Sequence, residues 1–167
     1  MQPRTPGPVP WPLSRFVPQI RLRVGPEAFV FTSRKTTAQI GTFLYLKDGT
    51  AGVRLLSVGE EMPSAPGVVR VDLFANAPTP IAPIEKMDCL EAFCRYGIHK
   101  VTARYAMVRP CVTVSGIDSL ETVLHGYQVG VLKRVLTASG ASMVVFEGLR
   151  GSAPSAPNPT RRRPLRA

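Results

Sequence analysis

The clearest pattern of apolar and polar positions lies in residues 109–148. It begins with a short apolar run at Cys111–Val114, which Gly116 interrupts. Apolar residues then recur at the three- and four-residue spacing of a helix, at Leu120, Val123, Leu124, Val131, Leu132, Val135 and Leu136. Gly140 follows these positions, where glycine commonly ends a helix, and Met143–Phe146 is a second apolar run. Two strands joined by one helix predict a right-handed βαβ unit whose parallel strands are buried on both faces.

Shorter patterns precede this unit, and most of them predict strands. Ile20, Leu22 and Val24 alternate with two arginines, which indicates a half-exposed strand at the edge of the fold. Further strands are predicted at Ala28–Thr32, Thr42–Leu46, Gly52–Val58 and Val68–Phe74, with a polar loop at Ser33–Gln39. Asp48-Gly49 favours a hairpin turn, because both residues tolerate positive φ.

One further helix is predicted at Ile84–Lys100, where apolar residues share one face and the charge order suits the helix dipole. The complete order, an antiparallel meander followed by β-α-β-α-β, predicts an α/β fold with one mixed sheet. We expect a single folded domain at 20–150. It lies between a disordered proline-rich arm at 1–19 and a disordered tail rich in proline and arginine at 151–167.

The formal net charge of +10 is concentrated at the two ends of the chain. Residues 25–150 contain 13 Lys or Arg and 11 Asp or Glu, which leaves that region at +2. The other eight charges are Arg4, Arg15, Arg21, Arg23, Arg161, Arg162, Arg163 and Arg166. The last four are candidate contacts for phosphate or anionic lipid, although a charged tail is more often simply solvated.

The residue types that usually carry chemistry form no recognisable motif. Cys89, Cys94 and Cys111 are odd in number and lack CxxC spacing, so we expect free, mostly buried thiols and no metal site. His99 and His125 have no acid or nucleophile at a recognisable spacing, and we expect them at the surface or in helix packing. The chain has no apolar run of 18 residues and no apolar signal region, which predicts a cytoplasmic protein without a transmembrane helix.

Several segments, taken in chain order, carry a family resemblance. They are Thr36–Leu46, Leu55–Met62, Ala65–Val71, Glu85–Lys100, Arg109–Ser142 and Val144–Gly148. Together they resemble the front part of the bacterial actin homologues MreB and Mbl, which belong to the actin and Hsp70 ATPase superfamily. The resemblance rests on the collinear order of the segments rather than on one decisive motif. It implies an actin-like fold truncated to the part called subdomain IA.

The resemblance also implies a degenerate nucleotide site. The family's first phosphate loop reads DLGT, and the similar positions here are Thr36, Thr37, Ala38, Gln39, Gly41 and Thr42. Thr36 stands at the aspartate position and lacks the negative charge that hydrated Mg²⁺ prefers, while Ala38 replaces the loop glycine. No counterpart of the second phosphate loop follows Gly148. We therefore expect no cofactor, and ATP with Mg²⁺ only if the degenerate loop still binds them.

Glu147 resembles the family's water-orienting glutamate, because it lies at the end of the last strand. One interpretation is a relic of a catalytic base. The other is an ordinary acid at a strand end, which we favour because catalysis needs a second lobe to exclude water.

The resemblance as a whole implies a non-catalytic protein that acts by binding. Its expected partners are full-length MreB- or Mbl-type filaments, or proteins of cell-wall elongation or sporulation, through which it would influence cell shape near the inner face of the membrane. An exposed sheet edge would be the contact surface. The alternative is a small basic nucleic-acid-binding, ribosome-associated protein that uses its arginine tail. A residual ATPase that uses Glu147 is a third hypothesis.

Overall fold

The structure is a computed structural model of the 167-residue chain, and it describes residues 17–49, 52–75, 85–102 and 108–148. The strands in these ranges are β1 (Gln19–Arg23), β2 (Ala28–Thr32), β3 (Thr37–Gly41), β4 (Phe43–Lys47), β5 (Arg54–Val58), β6 (Val68–Asp72), β7 (Cys111–Ser115) and β8 (Met143–Phe146). The α-helices are α1 (Lys86–Thr102), α2 (Glu121–Leu124) and α3 (Gln128–Ala138). Almost all of the predicted arm and the whole predicted tail lie outside the described residues, so their boundaries stay predictions. No helix in the described ranges is long and apolar enough to span a bilayer.

Five strands form the main sheet, in the order β3-β2-β1-β7-β8. β1 pairs antiparallel with β2 and parallel with β7, and β7 pairs parallel with β8. This confirms the predicted α/β fold with a mixed sheet and the parallel unit at its end. The prediction that β1 lies at the edge is wrong, because β1 is the central strand. Apolar and polar residues alternate in β1 because successive side chains point to opposite faces of the sheet. Ile20 and Leu22 are fully buried, while Arg21 and Arg23 are exposed.

A second, antiparallel sheet has the order β5-β4-β6. The predicted meander is therefore divided between two sheets rather than contained in one. The division falls at Thr42, where the chain leaves β3 and enters β4. Antiparallel pairing of β4 with β5 agrees with a hairpin turn at Asp48-Gly49. The small sheet contributes Leu44 and Val58 to the same apolar core as the main sheet.

The predicted single helix after β7 is interrupted. A 3-10 helix at Ile117–Leu120 leads into α2, and α3 begins only at Gln128. Between them His125 has φ 48° and Gly126 has φ 87°, so the chain adopts the left-handed conformation twice in succession. Helical spacing of apolar residues continues across the break, which is why the periodicity did not reveal it.

Both long helices cover the same face of the main sheet. The Phe93 ring of α1 lies edge-on to Phe29, with ring centroids 5.3 Å apart, and 6.3 Å from the Phe31 ring centroid. α3 contributes Leu132 and Leu136 to the same core and contacts α1 and β8. The opposite face of the sheet has no covering helix in the part of the chain that the structure describes.

β8 differs from the prediction that both of its faces are buried. Met143 is 45% exposed and Val145 is 43% exposed, while Val144 and Phe146 pack partly against the core. The reason is that β8 is the outermost strand of a sheet covered on one face, so its side chains alternate in burial.

Helix α1 also contacts the loop between β5 and β6 of the small sheet. The Lys100 ammonium donates a hydrogen bond to the Glu60 carboxylate, and the Tyr96 hydroxyl donates to the same oxygen at 2.8 Å. The Lys100 bond, followed by the Tyr96 bond, lowers the pKa of Glu60. These three side chains tie the end of β5 to the outer surface of α1.

Gly97 allows α1 to approach the sheet closely. A Cβ added at this position would overlap the ring of Phe31. Phe31 is fully buried in the centre of the core, so it has no free space into which to move. The glycine inside the predicted helix is therefore required by packing against the sheet.

Substitution of Gly97 by alanine tests this close approach. Since the new methyl group must displace α1 or Phe31, we expect Gly97→Ala to lower the free energy of unfolding by about 1–3 kcal/mol. Gly130→Ala in α3 is the matched control, because its Cβ would meet nothing within 4 Å. Alanine is the better helix former there, so the control should raise the free energy of unfolding by about 0.5 kcal/mol. Denaturant titrations followed by circular dichroism measure both values, and a neutral or stabilising Gly97→Ala would contradict the packing.

Candidate functional site

The carboxyl ends of the three parallel strands meet at one end of the main sheet. β1 leads into the turn Val24–Glu27, β7 leads into Gly116, and β8 leads into Glu147. In open α/β sheets, ligands commonly bind outside the carboxyl ends of the strands. This end of the sheet is therefore the candidate site.

Hydrogen bonds hold the turn after β1 against the turn after β7. The Val24 N–H donates to the Ser115 carbonyl at 3.0 Å. The Ser119 hydroxyl lies 2.6 Å from the Gly116 carbonyl and 3.1 Å from the Val24 carbonyl. Gly116 has φ 77°, and a Cβ there would lie 2.8 Å from the Val24 carbonyl oxygen. The two turns therefore touch through backbone atoms and leave no gap between them at this point.

Thr42 closes the other side of the same turn. Its buried hydroxyl donates to the Pro26 carbonyl at 2.5 Å, and its N–H donates to the Glu27 carbonyl at 3.0 Å. Pro26 itself has no N–H to offer an anion. The polar groups of Thr42 thus stabilise the turn instead of facing a ligand.

The predicted phosphate loop does not have a loop conformation. Thr37–Gly41, which includes Ala38 and Gln39, is strand β3, paired along its length with β2. Thr36 lies in the tight turn before it, where the Ser33 N–H donates to the Thr36 carbonyl at 2.8 Å. An extended strand does not curl successive N–H groups around a phosphate, so the prediction of a loop at Thr37–Gln39 is wrong.

The structure also separates the predicted site residues from one another. Thr37 pairs with Thr32 at the end of the sheet near the amino end of β1, while Gly41 pairs with Ala28 at the opposite end. At about 3.3 Å per residue, Thr37 and Gly41 are roughly 13 Å apart. Gly41 and Thr42 therefore lie beside the candidate site, and Thr36 and Thr37 do not.

Glu147 directly follows β8, at the carboxyl end of the sheet. Its N–H donates to the Val114 carbonyl at 2.8 Å, which continues the β7–β8 pairing, and its side chain is exposed. Among the described residues its carboxylate forms neither an ion pair nor a hydrogen bond to a side chain.

Sequence reasoning missed Arg23 and the turn that follows it. Arg23 is the last residue of β1 and is exposed at the carboxyl end of the sheet. In the family that the sequence resembles, the phosphate loop directly precedes a strand. Here the turn Val24–Glu27 directly precedes β2. The alternation at Ile20, Leu22 and Val24 was the available signal, because it marked a strand that ends at this turn.

The other candidate groups lie elsewhere or outside the described ranges. Cys89, Cys94 and Cys111 are free and buried, as expected, and burial raises the pKa of each thiol. No group of three or more His, Cys, Asp or Glu that could hold a metal ion is found in the described residues. The arginines of the tail, Arg161, Arg162, Arg163 and Arg166, fall outside those residues.

An apolar cleft lies on the helical side of the molecule. It has a volume of about 280 Å³ and lies between the end of β6, the start of α1 and helices α2 and α3. Among the described residues that line it, Lys86 is the charged one, and its ammonium donates to the Ala75 carbonyl. The cleft therefore offers no side chain arranged to orient a nucleotide.

Comparison with solved structures shows an actin-like fold. A crystal structure of MreB5 of Spiroplasma citri bound to ADP matches with a TM-score of 0.54 and 13% identity, covering 78% of this chain and 38% of that chain. A non-polymerising mutant of MamK bound to AMPPNP matches with a TM-score of 0.50 and 9% identity, covering 78% and 41%. This chain thus spans about two fifths of the length of those structures. Protein-family models and curated proteins give no match.

Substitution of Gly116 by alanine tests the contact between the two turns. Gly116→Ala adds both the cost of a positive φ and a clash with the Val24 carbonyl. Gly126→Ala is the control, because Gly126 has φ 87° and its Cβ would meet nothing within 4 Å. We expect Gly116→Ala to lower the free energy of unfolding by at least about 1 kcal/mol more than the control, since the overpacked backbone must shift. If denaturant titrations show equal losses of unfolding free energy for both variants, the two turns are not in tight contact at Gly116.

Proposed function

We propose that this chain is a non-catalytic actin-like domain that binds full-length filaments of the MreB type and thereby influences cell shape. The observation that carries the proposal is the open edge of β8. Its four residues include no charged residue and no proline, and among the described elements β8 pairs only with β7. Proteins usually protect such an edge with charge, proline or a covering segment, because an open edge accepts another strand.

The direction of the hydrogen bonds identifies the groups available to a partner. The Glu147 N–H donates toward β7. N–H groups of successive residues in a strand point to alternate sides, so those of Val144 and Phe146 point to the open edge. A partner strand would bond these groups while the two side chains remain against the core. This is strand addition, a common mode of peptide recognition.

The candidate site supports the non-catalytic part of the proposal. Arg23 occupies the end of β1, where a carboxylate would be needed to attract Mg²⁺ and its ligand waters. The neighbouring carbonyls of Val24 and Pro26 are bonded by Ser119 and Thr42. These contacts favour a stable surface over a phosphate cradle. ADP and AMPPNP are bound by the comparison proteins, and the proposal does not extend them to this chain.

Co-sedimentation with filaments tests the binding. We expect the purified chain to pellet with a polymerised full-length MreB-type protein and to saturate it. Val144→Pro should reduce the bound fraction several-fold, because proline removes an outward N–H and is tolerated at a strand edge. Val144→Ala is the matched control, since it loses a similar amount of packing but keeps the N–H. Failure of the wild-type chain to pellet would refute the proposal, and equal binding by both variants would exclude the β8 edge.

Calorimetry tests the absence of nucleotide binding. We expect no saturable heat when Mg-ATP is titrated to about 1 mM, because the end of β1 offers no carboxylate to the ligand waters of Mg²⁺. Titration into a full-length MreB-type protein under the same conditions provides the positive control. Saturable binding at micromolar Mg-ATP would contradict the absence of a nucleotide site, and a steep loss of ATP turnover in Glu147→Ala would favour a residual ATPase.

A further inference from the structure

The uncovered face of the main sheet has a distinct charge pattern. Arg21 and Arg23 of β1 project from its centre, and both are exposed. The register places Arg21 between Thr32 and Thr113, and it places Arg23 beside Val30. None of the 24 residues in the five strands is acidic. Within the described residues neither arginine forms an ion pair, so two adjacent positive charges face outward with hydroxyl and aliphatic neighbours.

Such a face is unusual for strands that run parallel. Parallel sheets normally have both faces covered, since their crossover helices and neighbouring elements bury each side. Here the covered face holds fully buried Phe29 and Phe31, while the other leaves Val145 43% exposed. The uncovered face thus combines exposed apolar area with unpaired charge, as an interaction surface does.

We propose that this face, centred on Arg21 and Arg23, binds an acidic amphipathic helix of a partner protein. The two arginine Cα atoms are separated by two residues of strand, about 6.6 Å. Carboxylates at positions i and i+4 of a helix lie about 5–6 Å apart, so one helix running along β1 can pair with both. Small apolar residues on the same helix face would contact Val30, which lies on the strand next to β1.

The size of the face selects one helix as its occupant. Five strands about 4.8 Å apart and five residues long give a face of roughly 19 by 16 Å. A helix with its side chains is about 10–12 Å across, so roughly 11–13 residues would cover this face. A stable dimer usually buries about 800 Å² per partner, well above the projected area of the face, so a second copy of this chain is a poorer fit.

Charge disfavours residues 1–16 and 149–167 as the occupant. All eleven acidic residues lie in the described ranges. Residues 1–16 and 149–167 carry only positive charges, including the four arginines of the tail. Like charges would oppose their approach to Arg21 and Arg23. The inference goes beyond the proposed function, because it concerns the face of the sheet and not the edge of β8.

A helical peptide pair tests the inference. The probe is a 14-residue peptide, held helical by a side-chain staple on its outer face, with glutamates at positions i and i+4 beside alanine and leucine. Its partner replaces both glutamates by glutamine. The chain variant Arg21→Glu with Arg23→Glu reverses the charge of the face, and Lys133→Glu with Arg134→Glu reverses two exposed charges on α3. Fluorescence anisotropy measures binding, and circular dichroism confirms that both variants fold.

We expect the acidic peptide to bind the wild-type chain and the charge-reversed face to weaken it about tenfold or more, because like charges would then oppose. The α3 variant should change binding less than about twofold, and the glutamine peptide should bind about tenfold more weakly than the acidic one. No binding, or equal weakening by both chain variants, would overturn the inference. If the chain forms a dimer that dissociates when Arg21 and Arg23 are replaced by glutamate, the inference fails and the occupant is a second copy. If single-stranded RNA displaces the peptide, the inference fails and the occupant is a nucleic acid. Val144→Pro should bind the peptide normally, which separates this result from the test of the β8 edge.

Discussion

One-sided burial of the main sheet is the constraint on which the rest of the structure depends. Both long helices pack on one face, and α1 approaches it so closely that a Cβ added at Gly97 would overlap the Phe31 ring. The apolar core forms between the helices and this face. Strands such as β1 and β2 therefore show alternating burial rather than the continuous burial of a sheet covered on both faces. The same asymmetry leaves a polar, positively charged face and an open outer strand, and both proposed interactions use what the core does not cover.

The carboxyl end of the sheet shows how the turns that follow its strands are held together. In an actin-like fold this is the position where a ligand is expected. Here the Ser119 and Thr42 hydroxyls bond to the carbonyls of Val24 and Pro26. These interactions stabilise the turns by about 1 kcal/mol each. The site thus acts as a structural junction between strands.

Local patterns predicted seven of the eight strands in the described residues and missed β3, and they did not predict which strands pair. Ala28–Thr32 and Met143–Phe146 were predicted with the bounds that the structure has, because apolar runs directly reflect burial. The split into two sheets was missed, since alternation does not say which strand pairs with which. The helix break at His125 was hidden because the apolar spacing continues across it. The degenerate phosphate loop was assigned to residues that form β3, because similar residue types do not show which end of the sheet a segment occupies.

Hydrogen exchange of the full chain tests the central claim, binding through an uncovered surface without nucleotide chemistry. Amide exchange would be compared for the chain alone, with Mg-ATP, and with filaments of an MreB-type protein. The account predicts that filaments protect the amides of Val144 and Phe146 and that Mg-ATP protects no segment. Protection of residues 24–27 and 115–117 by Mg-ATP, with unchanged exchange in β8 when filaments are added, would contradict it.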